Sequence, residues 1–245
     1  MRGLIILLAL SLVHSQPAYA ADCTPKSISI SAPSLSGGDE NDFLDRFRRA
    51  YKKACTWWGN GWSGPIRIEI EDSRGASMAL IPGWRGDRGT MIFRTFIVRR
   101  SASAILHEVV HLIAPNGNRF LAEGMAVYAH EHLDGQRAYP NNGRDLHRAA
   151  REYAEPDKVV ALSNFATPSR LRMASLDQRE SYLVAGSFVR YLVETHVIEK
   201  FRALYALTPI APGNRRAGGT PARWQKIYGK SINVLARDWV RAIKN

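Results

Sequence analysis

The sequence predicts an α+β fold, and three observations lead there. Alternation of apolar and polar residues, the mark of strands, is confined to the first hundred residues. From Ser101 to the C-terminus the pattern is helical and stays so. The 245 residues are 45% hydrophobic and 23% charged, which suits one large core and argues against disorder, collagen-like repeats or coiled coil. Strands first and helices afterwards is the α+β order, whereas the α/β class alternates them.

Residues 1–20 read as a secretory signal peptide. Met1-Arg2 is a short positive start, 4–13 is an apolar run, and Ala18-Tyr19-Ala20 is a small-x-small cleavage signal. A permanent membrane helix needs about 20 apolar residues, which this run lacks. The mature chain, 21–245, is therefore expected to be exported, periplasmic or secreted, with no transmembrane segment after the signal is removed. Cys23 and Cys55 are too few for a disulfide scaffold, but in an oxidising compartment they can pair and tie the N-terminus to the first helix.

Within the mature chain, 26–32 alternates Ile28 and Ile30 with serines as a strand does. The stretch 39–55 places Phe43, Phe47, Ala50 and Ala54 on one helical stripe. The turn-rich Gly59-Asn60-Gly61-Trp62-Ser63-Gly64-Pro65 ends it. Ile66, Ile68 and Ile70 alternate with Arg67, Glu69 and Glu71 in a half-buried strand, and 90–98 is a further strand after the loop 83–89. Helices are expected at 101–114, 118–133, 143–154, 176–195, 198–207, 221–228 and 232–243. Ser175 with Gln178 forms a capping box, Thr220 precedes proline as an N-cap, and Gly229 stops a helix. The Gly- and Arg-rich 209–221 reads as a surface loop.

His107-Glu108-Val109-Val110-His111 carries the chemistry. On a helix, residues four apart share a face, about 5–6 Å between Cβ atoms, so both imidazoles can reach one ion. Zinc suits them, since it takes nitrogen and carboxylate ligands and keeps one position open in catalytic sites. Glu108 can then face a water at that position. Burying such a polar group amid Ile105, Leu106, Val109, Val110, Leu112 and Ile113 without partners is costly. Two carboxylates qualify as the third ligand: Glu123, twelve residues after His111, and Glu131, twenty after it. Eight helical residues, roughly 12 Å along the axis, separate them, so both cannot hold one ion.

His107-Glu108-x-x-His111 followed by Leu121-x-Glu123-Gly124-x-Ala126 resembles the gluzincin zinc metallopeptidases, in particular the short peptidase MA-like group. The resemblance implies a zincin-like fold: an N-terminal lobe (about 21–114) with a small mixed sheet, a helical lobe (about 115–245), and one zinc ion between them. It selects Glu123 as third ligand, because the Glu-Gly-x-Ala glutamate has that role in the family. Glu131, flanked by His130 and His132, then belongs to a solvated helix end. The similarity runs on through 182–192 and 228–239, whereas 21–89 has no part in it. Family members place a tyrosine or histidine near the oxyanion, and Tyr182 is the residue in this sequence that could do so.

These readings imply a peptide or protein substrate, with Glu108 as general base. The competing class is a non-enzymatic cell-envelope binding protein that keeps the fold, but it has no use for Glu108. The charge, 34 Lys+Arg against 22 Asp+Glu, is spread over three clusters: Arg46, Arg48, Arg49, Lys52 and Lys53; Arg144, Arg148 and Arg151; and Arg215, Arg216, Arg223, Lys226 and Lys230. These suit an anionic envelope surface, although solvated faces explain them equally simply. No nucleic-acid recognition motif is visible.

Overall fold

The computed structural model describes residues 22–80, 88–135, 139–167, 170–210 and 219–245. The expected signal peptide lies outside these, as do most of the loop 83–89 and the centre of 209–221. The chain runs β1 (Ile28–Ser31), α1 (Gly37–Trp58), β2 (Ile66–Glu71), β3 (Met78–Ala79), β4 (Thr90–Arg94), α2 (Thr95–Arg99), α3 (Ile105–Ile113) and α4 (Arg119–Asp134). Then follow α5 (Leu146–Ala150) with a 3-10 turn at Arg151–Tyr153, α6 (Pro156–Leu162), α7 (Gln178–His196), α8 (Ile198–Ala206), α9 (Ala222–Tyr228) and α10 (Ile232–Lys244). The fold is α+β with a small mixed sheet, ordered β1-β2-β4-β3, in which β3 alone is antiparallel to its neighbour.

The strand of 90–98 is half as long as its sequence suggests. β4 ends at Arg94, and Thr95 starts the short helix α2, so the chain turns before α3. β4 is also an inner strand, paired with β2 on one side and β3 on the other. The open edge nearest α3 belongs instead to β3, two residues too short to show any alternation. The helix expected over 101–114 begins only at Ile105, and α6 falls in a stretch with no expected element.

Caps fix the helix ends. Ser36 accepts from Asp39 N at the start of α1, and Gly59, at φ 89°, ends it in a left-handed turn that a side chain would strain. α7 starts at a capping box made by Asp177 and Glu180, displacing the Ser175–Gln178 pair expected from sequence. In α9 the cap position is Pro221, one residue later than expected, while Gly229 stops the helix as anticipated.

Phe43, Phe47, Ala50, Tyr51 and Ala54 bury the inner face of α1 against the sheet and α3. The Cys23–Cys55 disulfide forms and ties the N-terminus to that helix. Farther along, Phe188 sits between Trp224 and Trp239, ring centroids 6.0 and 5.9 Å away, and joins α7 to α9 and α10. Arg223, expected in a surface cluster, is buried there and donates to the carbonyls of Ser163 and Thr220, because α9 turns that face inward.

Two glycines let α4 and α7 approach. A Cβ on Gly124 would stand 2.6 Å from the Ala185 carbonyl oxygen, and one on Gly186 would stand 2.5 Å from Val127 Cγ1. Gly124 thus serves close contact with α7. Among the described residues no helix is long and apolar enough to cross a membrane.

Candidate metal centre

All nine residues of α3 are buried, so the helix has no solvated face for a charge. Leu106, Val109 and Val110 are fully inside, each contributing about 1.5–3 kcal/mol by leaving water. The three polar residues of the same helix must find their partners inside the protein.

The reversal after α3 supplies one. Asn116 Nδ2 donates to the Tyr205 carbonyl at 2.8 Å, and its Oδ1 accepts from Asn118 N at 2.8 Å. Asn118 then caps α4 by accepting from Leu121 N at 2.9 Å. These bonds turn the chain tightly, so α4 runs back along α3 with Glu123 facing His107 and His111.

Three donor atoms meet there. His107 Nε2 and His111 Nε2 are 3.2 Å apart, and Glu123 Oε2 lies 3.2 Å from the first and 3.4 Å from the second. Hydrogen bonds cannot satisfy this triangle. Each imidazole has at most one hydrogen at Nε2 and a carboxylate has none, so at least one edge always sets two lone pairs or two hydrogens against each other. One cation accepts all three lone pairs. Ligand bonds of about 2.0–2.1 Å in a tetrahedron place neighbouring donors about 3.3–3.4 Å apart, and the observed edges are close to that spacing. His107, His111 and Glu123 are buried and could hold a metal ion. Glu131 is not among them.

Arg119, one turn before Glu123, completes its carboxylate. Arg119 Nη2 lies 2.6 Å from Glu123 Oε1, leaving Oε2 to the histidines. Burial works against ionisation of Glu123, but Arg119, His111 and the imidazole hydrogen bonds outweigh it and hold the carboxyl well below the usual carboxylate range. Glu108 goes the other way: burial raises its carboxyl, and His107 offsets only part of the rise. Glu108 Oε2 accepts from Ala79 N at 2.8 Å, which links the glutamate to the open edge of β3.

Tyr182 reaches this group from α7. Its ring stacks beside the His107 imidazole, centroids 6.5 Å apart and planes 17° apart. Its hydroxyl oxygen accepts from Arg119 Nη2 at 3.2 Å and from Gln178 Nε2 at 3.3 Å. Burial raises the phenol pKa, so the group stays neutral. The Nδ1 atom of His111 is buried and makes no hydrogen bond.

The far end of α4 is built differently. Glu131 pairs with Arg190 at 3.2 Å and accepts from Asn141 Nδ2 and Leu146 N. His132 is exposed and stacks on Tyr128, as a helix end allows, but His130 is buried, against the expectation of a solvated end. The helix turns that residue inward because Gly135 stops α4 more than a turn later. Sequence reasoning missed Arg119 and Ala79. Arg119 carried a signal, a cation four residues before the carboxylate on one helix. Ala79 carried none, because its role is played by backbone.

No family model matches the chain, and no curated protein does. Among solved structures it is similar to a crystal structure of an M1 zinc metallopeptidase variant from Deinococcus radiodurans. The identity is 16% and the TM-score 0.46, over 87% of this chain and 47% of that one. The chain thus spans about half the length of that peptidase, and so slight a likeness assigns no family.

Proposed function

We propose that this protein is an exported zinc metallopeptidase of the gluzincin type, a single zincin-like domain over residues 21–245. The observation that carries the reading is the triangle of His107 Nε2, His111 Nε2 and Glu123 Oε2, which hydrogen bonding leaves unsatisfied and one cation completes. Two imidazoles and one carboxylate favour zinc among the common divalent ions. When bound, zinc supplies a Lewis acid that brings the pKa of a water toward about 7 and polarises a carbonyl.

The chain's own residues do the rest. Arg119 holds Glu123 Oε1, so the carboxylate offers one oxygen and cannot swing. Glu108 Oε2 is engaged by Ala79, and Oε1 is then the oxygen that takes a proton from the attacking water. As the water oxygen bonds to the scissile carbon and the C–N bond breaks, Glu108 delivers that proton to the leaving nitrogen. The Tyr182 hydroxyl accepts from Arg119 and Gln178, so its own hydrogen is available to the carbonyl oxygen as charge develops there.

The substrate would be an extended peptide lying along β3. Leu80 N donates to Thr90 O on β4, so the neighbouring residue, Ala79, turns its N–H and C=O to the open side. The N–H is occupied by Glu108, and the C=O can accept from a peptide added as a further strand.

Metal analysis of the purified protein, paired with hydrolysis of a mixed peptide set, tests the reading. One zinc ion per chain and cleavage that stops on chelation and returns with zinc are expected. Protein that is isolated without metal and cannot be loaded would refute it.

A further inference from the structure

The basic cluster on α1 contains a feature that solvated faces do not explain. Between α1 and the start of α3 lies a cavity of about 230 Å³, lined by Arg46, Arg49, Lys53, Ser103, Ile105 and Asp134. Ser103 is fully buried, and its hydroxyl has no hydrogen-bond partner. Arg46 buries Nη1 and Nη2 without a partner; its Nε lies 3.1 Å from Asp42 Oδ2 but out of line for a hydrogen bond. Buried donors are satisfied in the great majority of native structures, and a guanidinium is the costliest to leave open. Donors left open on two separate elements that line one cavity point to a missing acceptor.

α3 adds to the demand. Its cap residue is Ala104, which has no side chain to satisfy the first-turn N–H groups. Ile105, the first residue of that helix, lines the cavity, so the positive end of the helix dipole lies at its wall. Asp134, the acidic member of the lining, is already neutralised by Lys53 Nζ at 2.8 Å. Asp42 likewise offsets the charge of Arg46, and Arg49 remains as net positive charge.

We infer that this cavity binds a phosphate group. The guanidinium nitrogens of Arg46 and the Ser103 hydroxyl are open donors on two separate segments, with Arg49 beside them, and a tetrahedral oxyanion offers oxygens in enough directions to meet them. The phosphate can be free or carried on a lipid headgroup; the recognising chemistry is the same. The inference does not rest on the proposed peptidase activity.

Isothermal titration of the full chain with inorganic phosphate, at constant ionic strength set with sodium chloride, tests it. Saturable binding of one phosphate is expected, weakened about tenfold or more in Ser103→Ala and in Arg46→Gln, as loss of a charge-assisted hydrogen bond requires. Arg148→Gln, on the separate basic cluster, should bind as the parent does. Ser103→Ala removes a single buried oxygen and carries the test if Arg46→Gln fails to fold. No saturable binding, or equal affinity in Ser103→Ala and the parent, overturns the inference. Vesicles containing phosphatidic acid separate the sources. Association that free phosphate competes away and Ser103→Ala weakens identifies a headgroup, and calorimetric binding without it identifies a soluble phosphate.

Discussion

The two ends of α4 each carry a glutamate, eight residues and about 12 Å apart along the axis. Glu123 faces two imidazoles and a single arginine, and its Oε2 closes a triangle of lone pairs. Glu131 faces Arg190, Asn141 and the Leu146 N–H, all of them donors. Arg190 in turn pairs with Asp145 at 2.6 Å and with Glu194 at 3.1 Å. A carboxylate among donors is finished and has only to hold its neighbours in place. A carboxylate in a triangle that hydrogen bonds cannot complete is unfinished, and one cation could finish it. The chemistry of a buried acid is decided by whether its partners bring hydrogens or lone pairs.

The contrast breaks most sharply at the two glutamates themselves. Glu123→Ala should strip the metal, leaving background content after dialysis against a mild chelator, and abolish hydrolysis. Glu131→Ala should keep both. Elemental analysis of the two variants side by side decides the matter, and the reverse outcome would move the ligand to the other end of the helix. Next in size is Glu108→Gln, which keeps the shape and removes the base. Its rate of peptide hydrolysis should fall about 10²–10⁴-fold with metal content unchanged. Full activity in that variant would end the proposed role of Glu108.

A smaller effect separates a ligand from its support. Arg119→Met leaves Glu123 Oε1 buried without its ion pair and free to turn. Metal affinity, measured by competition with a chromophoric chelator, should drop about 10–100-fold, the usual cost of losing an outer partner. Arg190→Met, at the other end of α4, should leave that affinity alone. Gly124→Ala tests the packing that holds the unfinished end in place. Its Cβ would meet a backbone oxygen that cannot rotate away. A loss of about 1–3 kcal/mol in denaturant unfolding is expected.

The sequence made α3 and its polar residues legible because spacing by four on an apolar helix is a geometric statement. It also set Glu123 and Glu131 as rivals, but spacing could not rank them, since both lie on one helix within reach of a turn. The turn decides, and it is built from Asn116 and Asn118 side chains bonded to backbone far along the chain. Such bonds leave no local pattern. The same limit hides β3: two residues cannot show a period, so the strand that holds Glu108 leaves no mark in the sequence, whereas the longer β4 does. At α7 the segment Ser175-Leu176-Asp177-Gln178-Arg179-Glu180 contains two overlapping pairs at capping-box spacing. The earlier pair fails because residues 173 and 176 bridge to each other, which puts Ser175 in the tight turn between them and leaves Asp177 to start the helix.

A last, smaller effect concerns how each region treats an imidazole. At the candidate metal centre two histidines turn nitrogen toward nitrogen. Near Glu131, His147 has a complete hydrogen-bond chain instead. Trp239 Nε1 donates to Ser187 Oγ at 3.0 Å, so the Ser187 hydroxyl hydrogen is free to donate to His147 Nδ1, 2.7 Å away. That arrangement favours the neutral imidazole with Nδ1 as acceptor. Burial, and after it Arg190, lowers its pKa below the ordinary value. The unfolded chain therefore takes up a proton near pH 6.5, and the folded protein does so only at lower pH. Stability should accordingly be unaffected by this group above that pH and decline as pH falls below it. The difference in denaturant midpoint between the parent and His147→Gln, followed from pH 7.5 to 5, isolates the effect, because carboxylates common to both cancel. The parent should lose ground on acidification relative to the variant. A constant difference across the range would mean that His147 titrates alike in the folded and unfolded chain, and that the Trp239–Ser187 chain does not set its state.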